Sequence, residues 1–145
     1  MQLTKHTDLA LRVLIYLALY PDELHTISDI ATRYGESKNH LVKVVHKLAS
    51  KGYIVSVQGR GGGIKLYRPA TDIVVGSVVS DIESTLSVID CDANQCPLIP
   101  ACLLKNTLRE ATNAFIDVLN NYTIADLTQN ESQLRNLLAV PNTAA

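Results

Sequence analysis

The side chains best suited to metal or redox chemistry are three cysteines that lie within twelve residues of one another. Cys91, Cys96 and Cys102 follow the spacing C-x4-C-x5-C, which differs from the C-x2-C pattern of zinc ribbons. Thiolates that converge from one short loop are typical ligands of soft metal ions and of iron–sulfur clusters. The spacing therefore favours a metal or cluster site, and the alternatives are a bound zinc ion, a thiol switch or three reduced thiols.

A site built on these thiols lacks one ligand. A cluster or a tetrahedral zinc ion takes four ligands, whereas the loop supplies three. No histidine follows His46 in the chain, so an imidazole from the same loop is excluded. Asp8, His6, solvent or a small molecule remain as sources of the fourth ligand. The odd number of cysteines also argues against a secreted disulfide scaffold.

Charge is divided unevenly along the 145 residues, although the formal net charge is only -1. Residues 1–70 carry ten Lys and Arg against five Asp and Glu, a net charge of +5. Residues 71–145 carry three against nine, a net charge of -6. Because a strongly basic half favours contact with a polyanion, the distribution predicts a basic N-terminal module joined to an acidic C-terminal one.

Capping residues and apolar spacings predict three helices in the basic half, which end near Tyr20, Tyr34 and Lys51. The second and third helices are joined by a tight turn that contains Gly35, and Ser37 caps the third. The third helix is basic and carries one inward stripe of apolar residues. Two helices arranged in this way form a helix-turn-helix pattern.

The residues that follow Gly52 change from helical to alternating periodicity. The segments 53–57 and 64–67 are predicted strands, and the glycine-rich segment 58–63 separates them. A glycine-rich tip between two short strands, directly after a helix-turn-helix, is a wing. The predicted fold is therefore mainly α-helical with a small β-wing, in which residues 1–70 form a winged helix-turn-helix domain.

The acidic half is predicted to continue with a connecting helix within residues 71–90, formed by Ile73 to Glu83, and a cysteine loop over residues 91–102. Residues 103–140 form a long helix, to about Tyr122, and short C-terminal helices, and residues 141–145 form a flexible tail. In the long helix, apolar residues recur at intervals of 4, 3, 4, 3 and 4 residues. This is the heptad spacing of an apolar seam between helices. The seam consists of Leu104, Leu108, Ala111, Phe115, Val118 and Tyr122.

The seam has two interpretations, a dimerisation helix or an ordinary amphipathic helix packed on its own domain. Helix-turn-helix modules usually bind DNA as two-fold dimers and need an element that pairs them. The basic module therefore favours a long C-terminal dimerisation helix.

Candidate DNA contacts lie on the two helices of the helix-turn-helix and on the wing. Asn39 is suited to adenine, and Lys38 or Lys43 to guanine or phosphate. Arg60 projects from a glycine platform and is suited to an A·T-rich minor groove. The alternative is a solvated charged face. The predicted contacts are Ser28, Ser37, Lys38, Asn39, His40, Lys43, Lys47, Gln58, Arg60 and Lys65.

These features together resemble the winged-helix iron–sulfur repressor family. The resemblance covers about residues 1–130 and rests on the Gly-Arg-Gly-Gly-Gly wing, the cysteine spacing and the long helix. It is closest to the nitric-oxide-sensitive NsrR branch, and the IscR branch differs because it has a histidine where this chain has Lys105. The segments that match the NsrR branch are Met1–Thr4, Asp8, Asn39-His40, Gly62–Ile64, the three cysteines and Asn121–Leu127.

The resemblance implies a homodimeric repressor that binds a palindromic double-stranded DNA operator. It implies that Cys91, Cys96 and Cys102 hold a [2Fe-2S] or [4Fe-4S] cluster, with Asp8 of the partner subunit as the fourth ligand. Nitric oxide would be the effector, and nitrosative-stress genes would be released when it reacts. The alternative is a regulator of the same family that senses iron–sulfur status, redox state or thiol metabolism, or a cluster-free or zinc DNA-binding protein.

The sequence also predicts a cytoplasmic protein without a membrane partner. The longest nearly apolar stretch, Leu9 to Tyr20, contains Arg12 and is shorter than the roughly 20 residues of a membrane span. No small-residue cleavage site follows it. The chain has no HExxH, nucleophile elbow or phosphate loop, so an enzyme is not expected.

Overall fold

The computed structural model describes residues 1–141, which form six α-helices and one two-stranded antiparallel sheet. The helices are α1 (Lys5–Leu19), α2 (Ile27–Tyr34), α3 (Lys38–Ser50), α4 (Val75–Ile82), α5 (Leu103–Leu119) and α6 (Glu131–Ala139), and the strands are β1 (Ile54–Val57) and β2 (Gly63–Leu66). The mainly helical fold with a small β-wing is confirmed. The predicted flexible tail lies outside the described residues, except for Pro141.

Helix α1 forms the centre of the core because it is apolar on nearly every side. The Thr4 hydroxyl caps it by accepting a hydrogen bond from the Thr7 amide at 3.3 Å. Six of its apolar side chains are at most 1% exposed, namely Leu9, Ala10, Val13, Leu14, Leu17 and Leu19. Despite this apolar character, neither α1 nor another helix within residues 1–141 has the length and hydropathy needed to cross a bilayer.

The helix-turn-helix forms where local capping signals predict it. The Thr26 hydroxyl accepts from the Asp29 amide at 3.1 Å at the start of α2. Gly35 ends α2 with φ +65°, a left-handed conformation that glycine adopts without strain. Ser37 caps α3. The inward stripe of α3 is buried as predicted and consists of Leu41, Val44, Val45 and Leu48.

The wing is seated on the segment between α1 and α2. Its strands pair from Ile54 opposite Leu66 to Val57 opposite Gly63. Strand β1 starts one residue later than predicted and ends where predicted, whereas β2 begins and ends one residue earlier than predicted. The amide of Ile64 donates to the carbonyl of His25 at 2.8 Å, and the His25 amide donates back at 3.2 Å. These two bonds fix the wing to the body of the domain.

The connecting helix is shorter than the predicted Ile73–Glu83, since α4 spans Val75–Ile82. Its predicted first residues pair instead with the segment after α5. The Ile124 amide donates to the Ile73 carbonyl at 2.9 Å, and Val74 forms a bridge with Thr123. This long-range pairing holds both residues in extended rather than helical geometry.

The core runs across residue 70, where the sequence suggested a domain boundary. Ile73, Val78 and Ile124 belong to the same buried cluster as the apolar residues of α1 and α3. Helix α4 packs against both α1 and α5. The winged helix and the acidic half are therefore parts of one packed unit, and α4 is the element between them.

The long helix is three residues shorter than the prediction, which placed its end at about Tyr122. Helix α5 ends at Leu119, where the chain enters a turn closed by a 3.2 Å hydrogen bond from the Tyr122 amide to the Leu119 carbonyl. The Tyr122 carbonyl then accepts from the Val75 amide at 2.9 Å. Tyr122 therefore anchors the start of α4 and does not extend the seam along the helix.

Candidate nucleic-acid interface and cysteine centre

The outward face of α3 is polar and accessible. Asn39, Lys43 and Lys47 lie on the side opposite the buried stripe, and all three are exposed. Nine of the ten predicted DNA contacts are exposed, and the tenth, His40, is half-buried. The second helix of a helix-turn-helix enters the major groove with such a face.

A cavity of about 270 Å³ joins the wing to the first residues of α2 and α3. Ser28 from α2, Lys38 from α3 and Gln58 after β1 line it. The structure thus brings together three predicted DNA contacts that are distant in sequence. The N-terminus of a helix and a lysine ammonium both favour a phosphate group, so the cavity is suited to the DNA backbone.

The wing tip presents Arg60 beyond the ends of the strands. Gly59 and Gly61 flank it with φ +95° and +74°, conformations that other residues rarely adopt. A Cβ on Gly62 would lie 2.2 Å from the Val57 carbonyl oxygen. Gly62 therefore cannot carry a side chain in this turn, and the turn leaves Arg60 exposed.

His6 of α1 lies beside α3 and was not among the predicted DNA contacts. Its ring centroid is 6.2 Å from that of His40. Burial, and then the neighbouring His40 and Lys47, lower the pKa of His6 below its ordinary value. His6 is consequently neutral at neutral pH and offers hydrogen bonding rather than charge at this edge of the interface.

The three cysteines line one cavity of about 510 Å³ between residues 86–102 and the first turns of α5. Most of the remaining wall is apolar, formed by Leu86, Val88, Ile89, Leu98, Leu104 and Leu108. Lys105 and Arg109 add two cationic side chains to the wall. The structure therefore brings Cys91, Cys96 and Cys102 together, as their spacing predicts.

Local turns and a helix end position these thiols. The Cys96 amide donates to the Cys91 carbonyl at 3.4 Å, which closes the chain between them. Gln95 adopts φ +46° in that turn. The Sγ atom of Cys102 is the N-cap of α5 and accepts from the Lys105 amide at 3.3 Å. Cys102 is thus attached both to the cavity and to the long helix.

The donor set is of a kind that iron–sulfur clusters and other soft metal centres accept. Cys91, Cys96 and Cys102 line one largely apolar cavity, beside Lys105 and Arg109. Thiolates are the usual ligands of such centres, which take four ligands. Within residues 1–141, no three His, Cys, Asp or Glu side chains are grouped as the ligands of one ion. The presence of a cluster stays a prediction.

Asp8 lies on the first turn of α1, outside the cysteine cavity of its own chain. Its carboxylate forms an ion pair with Arg12, with Oδ2 2.8 Å from Nη2 and Oδ1 3.0 Å from Nε. Glu36 lies 3.8 Å from the same guanidinium group. A role for Asp8 as a ligand therefore requires a second chain, and it stays a prediction.

Glu83 forms a clasp between the start of α1 and the residue after α4. Its Oε2 accepts from the Thr4 amide at 3.0 Å, the Thr4 hydroxyl at 3.1 Å and the Thr7 hydroxyl at 2.6 Å. Partial burial acts to raise the pKa of Glu83, but these hydrogen bonds outweigh it and lower the pKa below its ordinary value. Residues 84–90 join this clasp to the cysteine loop. The sequence did not reveal the clasp.

Comparison with known proteins places this arrangement in a family. A family model described as Rrf2, iron-dependent transcriptional regulator, matches residues 3–130. The chain belongs to the Rrf2 family. Rrf2 proteins are DNA-binding transcriptional regulators rather than enzymes, and they are typically dimeric.

Solved structures of Rrf2 proteins share the fold. IscR of T. potens superposes with a TM-score of 0.75 at 21% identity, covering 93% of this chain and 91% of that one. CymR, the global cysteine regulator of B. subtilis, gives 0.71 at 21% identity, with 90% and 98% covered. The oxidised form of Staphylococcus aureus CymR gives 0.72 at 25% identity, with 89% and 97% covered.

The predicted dimerisation seam is uncovered in the Rrf2 chain described here. Helix α5 has no buried residue, and Leu104 and Val118 are each 58% exposed. Leu108 and Phe115 are half-buried, while Ala111 is exposed. The seam is thus available to another chain, and its pairing with a second copy stays a prediction.

The Rrf2 wing yields a direct prediction. Replacing Arg60 by alanine is expected to weaken DNA binding about tenfold, the equivalent of about 1.4 kcal/mol, because the wing loses the exposed cation at its tip. The fold should be unaffected, since Arg60 is exposed. Fluorescence anisotropy at one fixed salt concentration measures the loss. Lys51→Ala, which removes a cation paired with Asp81 at 3.9 Å, is the control; an unchanged affinity of the Arg60 variant would exclude a wing contact.

Proposed function

We propose that this chain is a homodimeric cytoplasmic repressor that senses nitric oxide through an iron–sulfur cluster. Cys91, Cys96 and Cys102 would hold the cluster, whether [2Fe-2S] or [4Fe-4S]. The observation that carries the proposal is the lining of one cavity by all three thiols, in a chain whose other end is a winged helix. When bound, the cluster supplies irons that react directly with nitric oxide.

The DNA-bound state uses two copies of the chain. The seam of α5 pairs the copies, and the two winged helices then occupy successive major grooves of a palindromic operator. Arg60 favours narrow, A·T-rich minor grooves at the flanks of each half-site. Repression depends on the correct distance between the two winged-helix domains.

Contacts within the chain would transmit a structural change in the cysteine loop to the winged-helix domains. Glu83, which precedes that segment, holds Thr7 of α1 at 2.6 Å. Asp81 of α4 accepts a 2.5 Å hydrogen bond from the Tyr53 hydroxyl at the base of the wing. Cys102 caps α5. Loss of thiolate ligation would thus move α4 and α5, which lie before and after the cysteine loop. The distance between the two winged-helix domains of the dimer would then change, and the nitrosative-stress genes would be released from repression.

Anaerobic purification followed by exposure to nitric oxide tests the proposal. The DNA probe is a duplex selected by the protein from a randomised library. We expect a coloured protein that contains iron and sulfide, loses its visible absorption with nitric oxide, and releases the selected duplex over the same range of added gas. A cluster that reacts while DNA binding persists would contradict the proposed output.

Similarity to CymR, a global cysteine regulator, favours a second candidate function. In this candidate the three thiols respond to thiol metabolism without a cluster. A colourless, iron-free protein whose DNA binding changes with thiol oxidation would support it over nitric oxide sensing. Metal analysis of the same sample distinguishes a zinc-containing protein from both candidates.

Asp8→Ala tests the fourth ligand. We expect the variant to lose its cluster about tenfold faster, or to react with nitric oxide about tenfold faster. Loss of an outer-shell partner typically weakens metal binding by about 10- to 100-fold, and loss of a ligand should cost at least as much. Stopped-flow absorbance measures the reaction. Glu36→Ala is the matched control because it removes the other carboxylate near Arg12. Equal rates in Asp8→Ala and wild type would place the fourth ligand elsewhere.

A further inference from the structure

One large apolar side chain interrupts the polar outward face of α3. Val42 is 43% exposed, whereas Leu41, Val44, Val45 and Leu48 of the same helix are at most 4% exposed. Valine is also a weaker helix former than alanine or lysine, so helix stability does not favour it at an exposed position. Neither packing nor propensity explains Val42.

Val42 lies in an open depression of about 470 Å³ at the edge between α1 and α3. The other lining residues are polar or cationic, namely His6, Lys43, His46, Lys47 and Ser50. The lining contains two lysines, two histidines and no acid. An apolar spot beside two lysine ammonium groups favours a ligand that combines negative charge with a small apolar group.

Double-stranded DNA is the ligand with this combination that the fold also favours. The outward face of α3 is the face that enters the major groove, and Lys43 and Lys47 match the charge of the phosphates. Thymine alone among the four bases presents a methyl group in that groove. We propose that Val42 contacts the C5 methyl of one thymine in each half-site and makes thymine preferred at that position.

The chemistry of valine makes this contact selective. Its two methyl groups pack against another methyl but cannot accept or donate a hydrogen bond. A base that places a polar edge against Val42 would lose hydrogen bonds to water without replacement, which is unfavourable. Val42 thus favours thymine and disfavours the alternatives. This inference rests on the proposed binding of DNA through α3.

Replacement of thymine by deoxyuridine tests the contact because it removes only the methyl group. The anaerobically purified full-length chain first selects a duplex, and each thymine of that duplex is then replaced in turn. For wild type, we expect one position per half-site at which affinity falls about fourfold, which corresponds to about 0.8 kcal/mol for one buried methyl. For Val42→Ala, affinity at that position should be the same with thymine and deoxyuridine.

Lys47→Ala is the control for general weakening. It should lower affinity for the thymine and deoxyuridine duplexes by the same factor and reduce the salt dependence, because Lys47 would contact phosphate. If wild type and Val42→Ala respond identically to every thymine replacement, the inference is wrong while DNA binding stands. A chain that selects no duplex would overturn both the inference and the proposed function.

Discussion

If the proposed cluster is present, replacing Cys96 by alanine is expected to abolish its visible absorption and to release operator DNA without nitric oxide. The chain offers three thiols for four ligand positions, so the loss of one leaves two, fewer than a cluster requires. In cells, a reporter repressed by the wild-type protein should become constitutively expressed. Absorption spectra, iron content and reporter output measure the three consequences.

Asn94→Ala is the matched control for Cys96→Ala. Asn94 lines the same cavity but has no thiol, so the variant changes the wall and keeps the donor set. It should retain the cluster spectrum and repression. Cys96 is half-buried, and the apo forms of wild type and Cys96→Ala should differ by no more than about 1 kcal/mol in free energy of unfolding. A normal spectrum in Cys96→Ala would exclude Cys96 as a ligand.

The helix-turn-helix could be predicted because the residues that determine it interact with near neighbours in the sequence. Ser37 caps α3 through an amide three residues away, and Gly35 ends α2 through its own left-handed conformation. The buried stripe of α3 follows from a spacing of three and four residues. Each of these signals involves residues within one or two helical turns of one another, so it can be recognised from the sequence alone.

The connections between the halves could not be predicted because they join distant residues. Ile73 pairs with Ile124, which shortens α4, and Glu83 accepts from Thr7 across 76 residues. Neither contact has a periodicity or spacing that marks it. The end of α5 also depends on such a contact, since the carbonyl of Tyr122 accepts from Val75. Tertiary pairing there overrides helical periodicity.

The candidate cluster site was predictable in part for the same reason. Cys91 and Cys96 lie in one turn, so their proximity follows from sequence distance alone. The apolar wall of the cavity and the two cations from α5 required the fold. The attachment of Cys102 to the start of α5 is local, but cysteine is an uncommon cap and sequence rules do not anticipate it.

Gly63→Ala is expected to detach the wing while leaving the cysteine centre intact. A Cβ at Gly63 would lie 2.7 Å from the His25 carbonyl oxygen and 3.0 Å from the His25 carbonyl carbon and amide nitrogen. All three are backbone atoms, which cannot rotate away as a side chain does. Relief requires a shift of β2, and the neighbouring hydrogen bonds between Ile64 and His25 would then break.

We expect Gly63→Ala to lower the free energy of unfolding by about 1–3 kcal/mol, the usual cost of overpacking a tight contact. DNA affinity should fall at least as far as in Arg60→Ala, because the displaced wing carries Arg60 with it. Chemical denaturation and anisotropy measure the two effects. Gly61→Asn is the matched control, since no atom lies within 4 Å of its Cβ and asparagine tolerates the left-handed conformation at φ +74°.

The absorption spectrum of Gly63→Ala tests whether the cysteine centre depends on the position of the wing. The cysteine cavity is formed by residues 86–113 and does not include the wing or His25. A variant that loses DNA affinity but keeps its spectrum and its reaction with nitric oxide would show that the reaction of the cysteine centre does not depend on DNA binding by the winged helix. Unchanged stability and affinity would instead mean that the wing is not seated on His25.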